Sequence, residues 1–457
     1  MRIERDSLGE MQIPDDALYG AATARAIHNF QISNTPLCFA VIKSIARIKR
    51  AWAAIHVQFC AAGTQESIRF QAIAEAAAIV ANGKYNDQFP VDVYQTGSGT
   101  SSNMNVNEVI ARLAEAAAGL AVHPNDDVNR AQSSNDVFPS AIHLACLEAL
   151  HGDLLPALRD LRESLNAKAQ DFSDIVKTGR THLQDAVPIT LGQEFSGYAA
   201  QLARAEHTLL QASAGLCELP LGGTAVGTGM HAPAALVREV IAWLAQDYDL
   251  PLIEAPNHFE AQAARDALGI FSAALRGLGL ALFKIANDIR WLASGPHCGL
   301  GEISLPATQP GSSIMPAKIN PVQAEALMQV SARVLGNDST IAFAVSAGNF
   351  ELNTMMPLMG QCALESLSLL ARGMESFNQN CVRGITANRE RCREQALRSL
   401  SLVTAITPLV GYARAASLAK EAEQSGRSLR SLLENEAGVD PARLDAVLDI
   451  AAMTKRP

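Results

Sequence analysis

The chain of 457 residues is poor in aromatic side chains, at 5%, and in charge, at 18%. An ordinary globular domain carries roughly a quarter charged residues. So little polar surface points to extensive helix packing or to burial between subunits. The net charge is −9, and no run of five or six like charges occurs. Nucleic-acid binders gather Lys and Arg on one face, so that class of partner is excluded. An anionic small substrate is not excluded, because a local pocket can be positive on an acidic protein.

The eight cysteines (38, 60, 146, 217, 298, 362, 381 and 392) are scattered and form no CxxC pair. That argues against a disulfide framework or a zinc site. Reduced thiols in a cytoplasmic protein are the expectation. The histidines show neither HExxH nor HxH spacing, so no metal site is expected. The first residues, Met1-Arg2-Ile3-Glu4-Arg5-Asp6, lack the apolar stretch of a signal peptide. No uncharged apolar run of 18 residues occurs, and the most apolar helix-like stretch is interrupted by Arg276 and Lys284. A membrane partner is not expected.

What is present is helical periodicity. The length allows about three domains at roughly 150 residues each, read here as 1–132, 133–353 and 354–457. The first part mixes short helical patterns with turns. From about residue 139, Leu144, Leu147, Leu154, Leu158, Leu161 and Leu165 recur at helical spacing, with a kink expected at Pro156. Further long helices are expected over Thr190 to about Ala214, about Ala261 to Leu292, Pro321 into the Val334 region, and Pro357 to about Phe377. The Ala261–Leu292 stretch is apolar nearly all round and must be buried on several sides. The pattern after about residue 378 is shorter and more charged. The fold class is all-α, built on a long central helix bundle.

Four segments dense in short hydroxyl and amide side chains interrupt the helices: Gln95–Asn105, His123–Asn129 with Gln132–Asp136, Gly179–Ala186, and Gly311–Pro321. Any one of them could be a set of turns and helix caps. Four together point to a site. In the last, Gly311-Ser312-Ser313 frees backbone N–H groups, and Lys318 and Asn320 follow closely. Such donors suit a carboxylate that takes on extra negative charge. The spacing is not that of a phosphate P-loop. Gly222-Gly223-Thr224-Ala225-Val226-Gly227-Thr228-Gly229 has no following lysine and reads as a tight structural turn. His182 sits among hydroxyl and amide residues just before a long helix, and Glu325 falls in the first turn of another. If they meet, they form a proton-transfer dyad.

Gly311-Ser312-Ser313-Ile314-Met315-Pro316-Ala317-Lys318-Ile319-Asn320 resembles the signature loop of the fumarase/aspartase superfamily. The resemblance runs from Tyr19-Gly20 to Gly384-Ile385-Thr386-Ala387-Asn388. Thr181-His182-Leu183-Gln184, Gln132-Ser133-Ser134-Asn135-Asp136, Thr96-Gly97-Ser98-Gly99-Thr100 and Gly348-Asn349-Phe350-Glu351-Leu352-Asn353 are most similar to the class II fumarases. Met315-Pro316-Ala317-Lys318 and Asp185-Ala186-Val187-Pro188 instead read like aspartases. The chain departs from the family pattern at His297, at Met230-His231-Ala232-Pro233 and at Thr354-Met355-Met356-Pro357.

That resemblance implies a homotetramer with a twenty-helix core, each active site being shared by three subunits. It implies reversible anti addition of water to fumarate, giving (S)-malate, with no cofactor and no metal. Ser312 would be the base, and His182 assisted by Glu325 would handle the water. Ser98, Gly99, Thr100, Ser133, Ser134, Asn135, Thr181, Ser313, Lys318, Ile319 and Asn320 would hold the dicarboxylate. His123, Pro124, Asn125 and Asp126 match a second dicarboxylate site of the family. The alternative reading is ammonia elimination by an aspartate ammonia-lyase or a related C4-dicarboxylate lyase. A scaffold without catalysis is disfavoured because Ser312, Lys318, Asn320, His182 and Glu325 are all present.

Overall fold

Leu144, Leu147, Leu154, Leu158, Leu161 and Leu165 are all without solvent exposure, as their helical spacing requires. The computed structural model describes residues 1–316, 318–434 and 440–455. In chain order, a hairpin of β1 (Arg2–Asp6) and β2 (Gly9–Ile13) precedes α1 (Ala21–Asn29), α2 (Phe39–Phe59), α3 (Gln65–Ala81) and α4 (Thr100–Ala118). Then come α5 (Ser134–Ala149), α6 (Leu155–Asp171), a second hairpin of β3 (Val176–Thr181) and β4 (Gln184–Thr190), and α7 (Leu191–Ser213). They are followed by α8 (Ala234–Tyr248), α9 (His258–Ala263), α10 (Asp266–Leu292), α11 (Val322–Val345), α12 (Met356–Asn380) and α13 (Arg389–Arg398). Among the described residues, helices at Val403–Val410, Tyr412–Ser425, Leu429–Leu433 and Pro441–Val447 follow. The remaining strands are two-residue ladders, so the all-α expectation holds apart from the two hairpins.

The chain forms two compact units. The first takes residues 1–156, 205–279 and 330–371; the second takes 157–204, 280–329 and 372–457. In the first unit, α2 packs on α3 and α5, and α3 packs on α4. Ile45, Ile48, Trp52, Phe70, Ile73, Val109 and Phe138 fill the interior with no more than 2% exposure. In the second unit, β3 packs on α13. Lys177 and Glu302, both buried, pair at 2.9 Å within it. A separate small core gathers Leu402, Ile406, Leu418, Leu429 and Leu433. Ser401 Oγ donates to Ala186 O at 2.6 Å, which fastens that segment to β4.

Helix boundaries follow local chemistry. Thr190 and Gln193 cap α7 reciprocally: Gln193 N donates to Thr190 Oγ1 at 3.0 Å and Thr190 N to Gln193 Oε1 at 2.9 Å. Two expectations, the helix from Ala261 and the placement of His182, are corrected, and the one at Pro156 gains a detail. The helix expected from Ala261 is interrupted: α9 ends at Ala263, Arg265 takes a left-handed φ of 60°, and α10 starts afresh at Asp266. The kink expected at Pro156 is preceded by a π-helical turn at Leu150–Leu154. A π-turn there frees backbone that a proline ring would otherwise crowd. His182 lies not just before a helix but at the tip of the β3–β4 hairpin.

By length and composition, two described helical stretches would suit a membrane: Ser134–Asp171, and Asp266–Leu292. The most apolar window of each is 67% and 50% buried inside the protein. The first carries the buried polar residues Asp136, Ser140 and His143, and Arg276 of the second is paired with Asp338 at 2.8 Å. These are features of core helices.

Candidate active site

The loop before α11 folds back on itself. Asn320 Nδ2 donates to Gly311 O, and a side chain at Gly311 would collide with the Lys318 carbonyl. Glycine is needed here for that close approach. Ser312 Oγ accepts two backbone N–H groups, from Ile314 at 3.2 Å and Met315 at 3.0 Å. Donors on a hydroxyl oxygen favour negative charge developing on it. Ser313 and Lys318 are exposed. Lys318, Ile319 and Asn320 line a cavity of about 420 Å³, together with Arg290, Ser294 and Pro296. The variant His297 directly follows Pro296 and is exposed. Ala317 lies outside the described residues. Glu325 is in the first turn of α11, where its N–H donates to Pro321 O at 3.1 Å.

In the same unit, Thr181 pairs with Gln184, which leaves His182 and Leu183 as a two-residue hairpin loop. Both have left-handed φ, 55° and 59°. That is the geometry of a type I′ turn, normally occupied by Asn and Gly. A histidine and a leucine held there carry backbone strain. His182 is exposed. The base of the hairpin is rigid: Arg180 Nη1 reaches Glu302 Oε1 at 2.8 Å, and Lys177 reaches both Glu302 and Glu194. Within one chain, no hydrogen bond or ion pair among the described residues joins His182 to Glu325, or either to Ser312.

The first unit carries the remaining residues. Gly99 takes a φ of 73° at the N-cap of α4, and Ser98 Oγ and Thr100 Oγ1 lie 2.9 Å apart across it. Ser133 caps α5 with a reciprocal bond to Asp136: its Oγ accepts from Asn135 N at 3.2 Å, and its N–H donates to Asp136 Oδ1 at 2.9 Å. Ser134 Oγ accepts from Asn103 Nδ2 at 3.2 Å, and Asn135 Nδ2 donates to Ala225 O at 2.8 Å. The glycine-rich turn thus has a task. Gly222 and Thr224 each donate N–H to Asp136 Oδ2 at 3.0 Å, which fixes the turn against the start of α5. Burial raises the Asp136 carboxyl, while these N–H groups and Lys49 oppose that shift. The composition of the turn signals its tightness; nothing in the sequence signals its partner.

His123 precedes a π-helical turn at Pro124–Val128, and its Nδ1 faces the N–H groups of Asn125 at 3.3 Å and Asp126 at 3.1 Å. His123, Pro124 and Asn125 border a cavity of about 790 Å³. Its wall also carries Arg5 and Arg112 alongside the carboxylates Glu4, Asp6, Glu108 and Glu115.

A lyase family model matches residues 9–336, and a model of the fumarase C C-terminus matches 402–455. A class II fumarate hydratase of Ralstonia nicotianae is 52% identical, with 94% of each chain covered. One of Nitrosomonas europaea is 47% identical, with 99% of each covered. Among solved structures, the class II fumarase of Schistosoma mansoni superimposes with a TM-score of 0.95 at 37% identity, covering 99% of both chains. A fumarate lyase:delta crystallin of Brucella melitensis gives 0.94 at 43% identity, covering 100% of both. The fold and these matches define a helical lyase. The chain belongs to the lyase family that includes the class II fumarate hydratases.

Proposed function

We propose that the chain interconverts fumarate and (S)-malate by anti addition and elimination of water. The difficult step is removal of a proton from the carbon beside a carboxylate, because the electron pair left behind moves into that carboxylate. Ser312 is the base. The observation that carries this role is its oxygen, already held by the N–H groups of Ile314 and Met315. Those bonds tighten as charge develops on the oxygen. Lys318 and Asn320, on the same folded-back loop, stabilise the charge gathered on the substrate, and Ser313 and Ile319 complete its wall.

His182 delivers or removes water, with Glu325 raising its basicity. The family resemblance implies a homotetramer in which several copies complete each site, so that His182 and Glu325, not joined within one chain, meet across subunits. Exposed Ile270 (61%), Leu280 (53%) and Phe343 (70%) on the long helices supply apolar surface for that assembly. The three-part division at 132 and 353 is the subunit organisation this implies. Ser98, Gly99, Thr100, Ser133, Ser134, Asn135 and Thr181 bind the two carboxylates of the substrate. His123, Pro124, Asn125 and Asp126 form the second dicarboxylate site. The carboxylates on that cavity wall make a dianion bind weakly there. Neither step needs a cofactor, and the location proposed is the cytoplasm.

Ser312→Ala tests the assignment. It leaves the fold and substrate binding intact and lowers kcat for malate dehydration by at least about a thousandfold. A variant retaining near-normal kcat removes Ser312 from the chemistry.

A further inference from the structure

Behind the Ser133–Asn135 segment lies a lysine that the mechanism above does not use. Lys49 of α2 is wholly buried, and its Nζ donates to Asn129 Oδ1 at 2.7 Å. The same oxygen accepts from Asn103 Nδ2 and Asn107 Nδ2, each at 3.2 Å. Asn129 Nδ2 donates in turn to Gln132 O at 3.1 Å, so this amide is oriented from both ends. Asn103 Nδ2 also donates to Ser134 Oγ at 3.2 Å. Asn103 and Asn107 are no more than 1% exposed, and Ser134 is 8% exposed.

The direction of this chain is set at its buried end. A lysine ammonium has donors only, so Asn129 must turn its oxygen toward it. With that oxygen in place, Asn103 presents its NH₂ group to both Asn129 and Ser134. A serine hydroxyl has one O–H and two lone pairs. An N–H from Asn103 on the oxygen leaves the O–H of Ser134 to point elsewhere, as a donor. Burial pushes Lys49 down to about 7, with Asp136 opposing the shift. The neutral amine still has N–H groups to give, and the Asn129 NH₂ group is already committed to Gln132 O, so the direction is kept in either form.

We propose that Lys49 is a positioning residue for fumarate hydration: acting through Asn129 and Asn103, it fixes the Ser134 hydroxyl as a donor to a substrate carboxylate. The inference rests on the placement of Ser134 at the substrate, and the experiment separates the two. Lys49→Met keeps length and apolar contact but removes the donor. The variants Lys49→Met, Ser134→Ala and the double variant are assayed for KM and kcat, with thermal melts to verify folding. Each single variant raises KM for fumarate about tenfold while kcat changes less, because one hydrogen bond to a charged group is lost. The double variant has the KM of Ser134→Ala alone, because Lys49 acts through Ser134. Multiplying effects, or a folded Lys49→Met with wild-type KM, overturn the proposal. An unchanged KM in Ser134→Ala removes Ser134 from the substrate and overturns the placement as well. If Lys49→Met does not fold, Asn103→Asp decides: its carboxylate draws the Ser134 O–H inward, so KM rises, whereas an unchanged KM overturns the relay.

Discussion

Arg180 and Glu302 meet at 2.8 Å, with the carboxylate fully buried, two residues before the hairpin tip that carries His182. The other oxygen of Glu302 takes Lys177 at 2.9 Å, so one acid pairs with two cations on the same strand, Lys177 being shared with Glu194. Removing a buried partner leaves uncompensated charge and costs about 3–5 kcal/mol. Glu302→Ala is therefore expected to lower the melting temperature by many degrees and to reduce kcat by loosening the tip. A melting curve superimposable on the parent would show that the pairs contribute nothing.

His182→Asn separates chemistry from stability. Asparagine tolerates the left-handed backbone that His182 adopts, so the melting temperature does not fall. The loss of the proton-transferring group lowers kcat by about 10² to 10⁴. A kcat near that of the parent would exclude His182 from handling water.

In the first unit, Gly99→Ala meets two penalties. The residue has a φ of 73°, and a methyl group there would be driven into the Phe138 ring. Left-handed strain of about 1–2 kcal/mol adds to overpacking of about 1–3 kcal/mol. A denaturant titration would reveal that loss; a midpoint equal to the parent's would show that the ring moves aside freely.

Much of this was legible in the residues. Apolar spacing located the long helices to within a few positions: Thr190 to Ala214 became Leu191–Ser213, and the start at Pro321 became Val322. Ends were less accurate where packing extends a helix, as where α11 continues to Val345. The break before α10 was hidden because Arg265 looks like any helical residue until its buried side chain folds back to Ala261 O. The β3–β4 hairpin was missed because its register shifts between Thr178 and Arg180 and its loop lacks the usual Asn-Gly. The loop motifs were visible as composition. Their partners, such as Ala225 for Asn135 and Glu302 for Arg180, lie 90 and 122 residues away and carry no local signal.

The acid limb of stability should carry the mark of His143. Burial holds its pKa down to about 3, against an ordinary value of 6.5, and its Nδ1 is 3.2 Å from Glu218 O. Between those values the unfolded chain binds one more proton than the folded chain, so stability falls as pH is lowered from 6.5 toward 3. The slope for one proton is about 1.4 kcal/mol per pH unit. His143→Gln removes that term, so its stability declines less steeply over this window in denaturant titrations at stepped pH. Equal slopes in the two proteins would show that His143 does not titrate on unfolding.

The ultraviolet absorbance of the fumarate double bond tests the choice of substrate most directly. Purified protein with chelator present is offered malate and aspartate separately. A rise with malate and none with aspartate is the predicted result. A rise with aspartate alone would contradict the hydratase and establish ammonia elimination in its place.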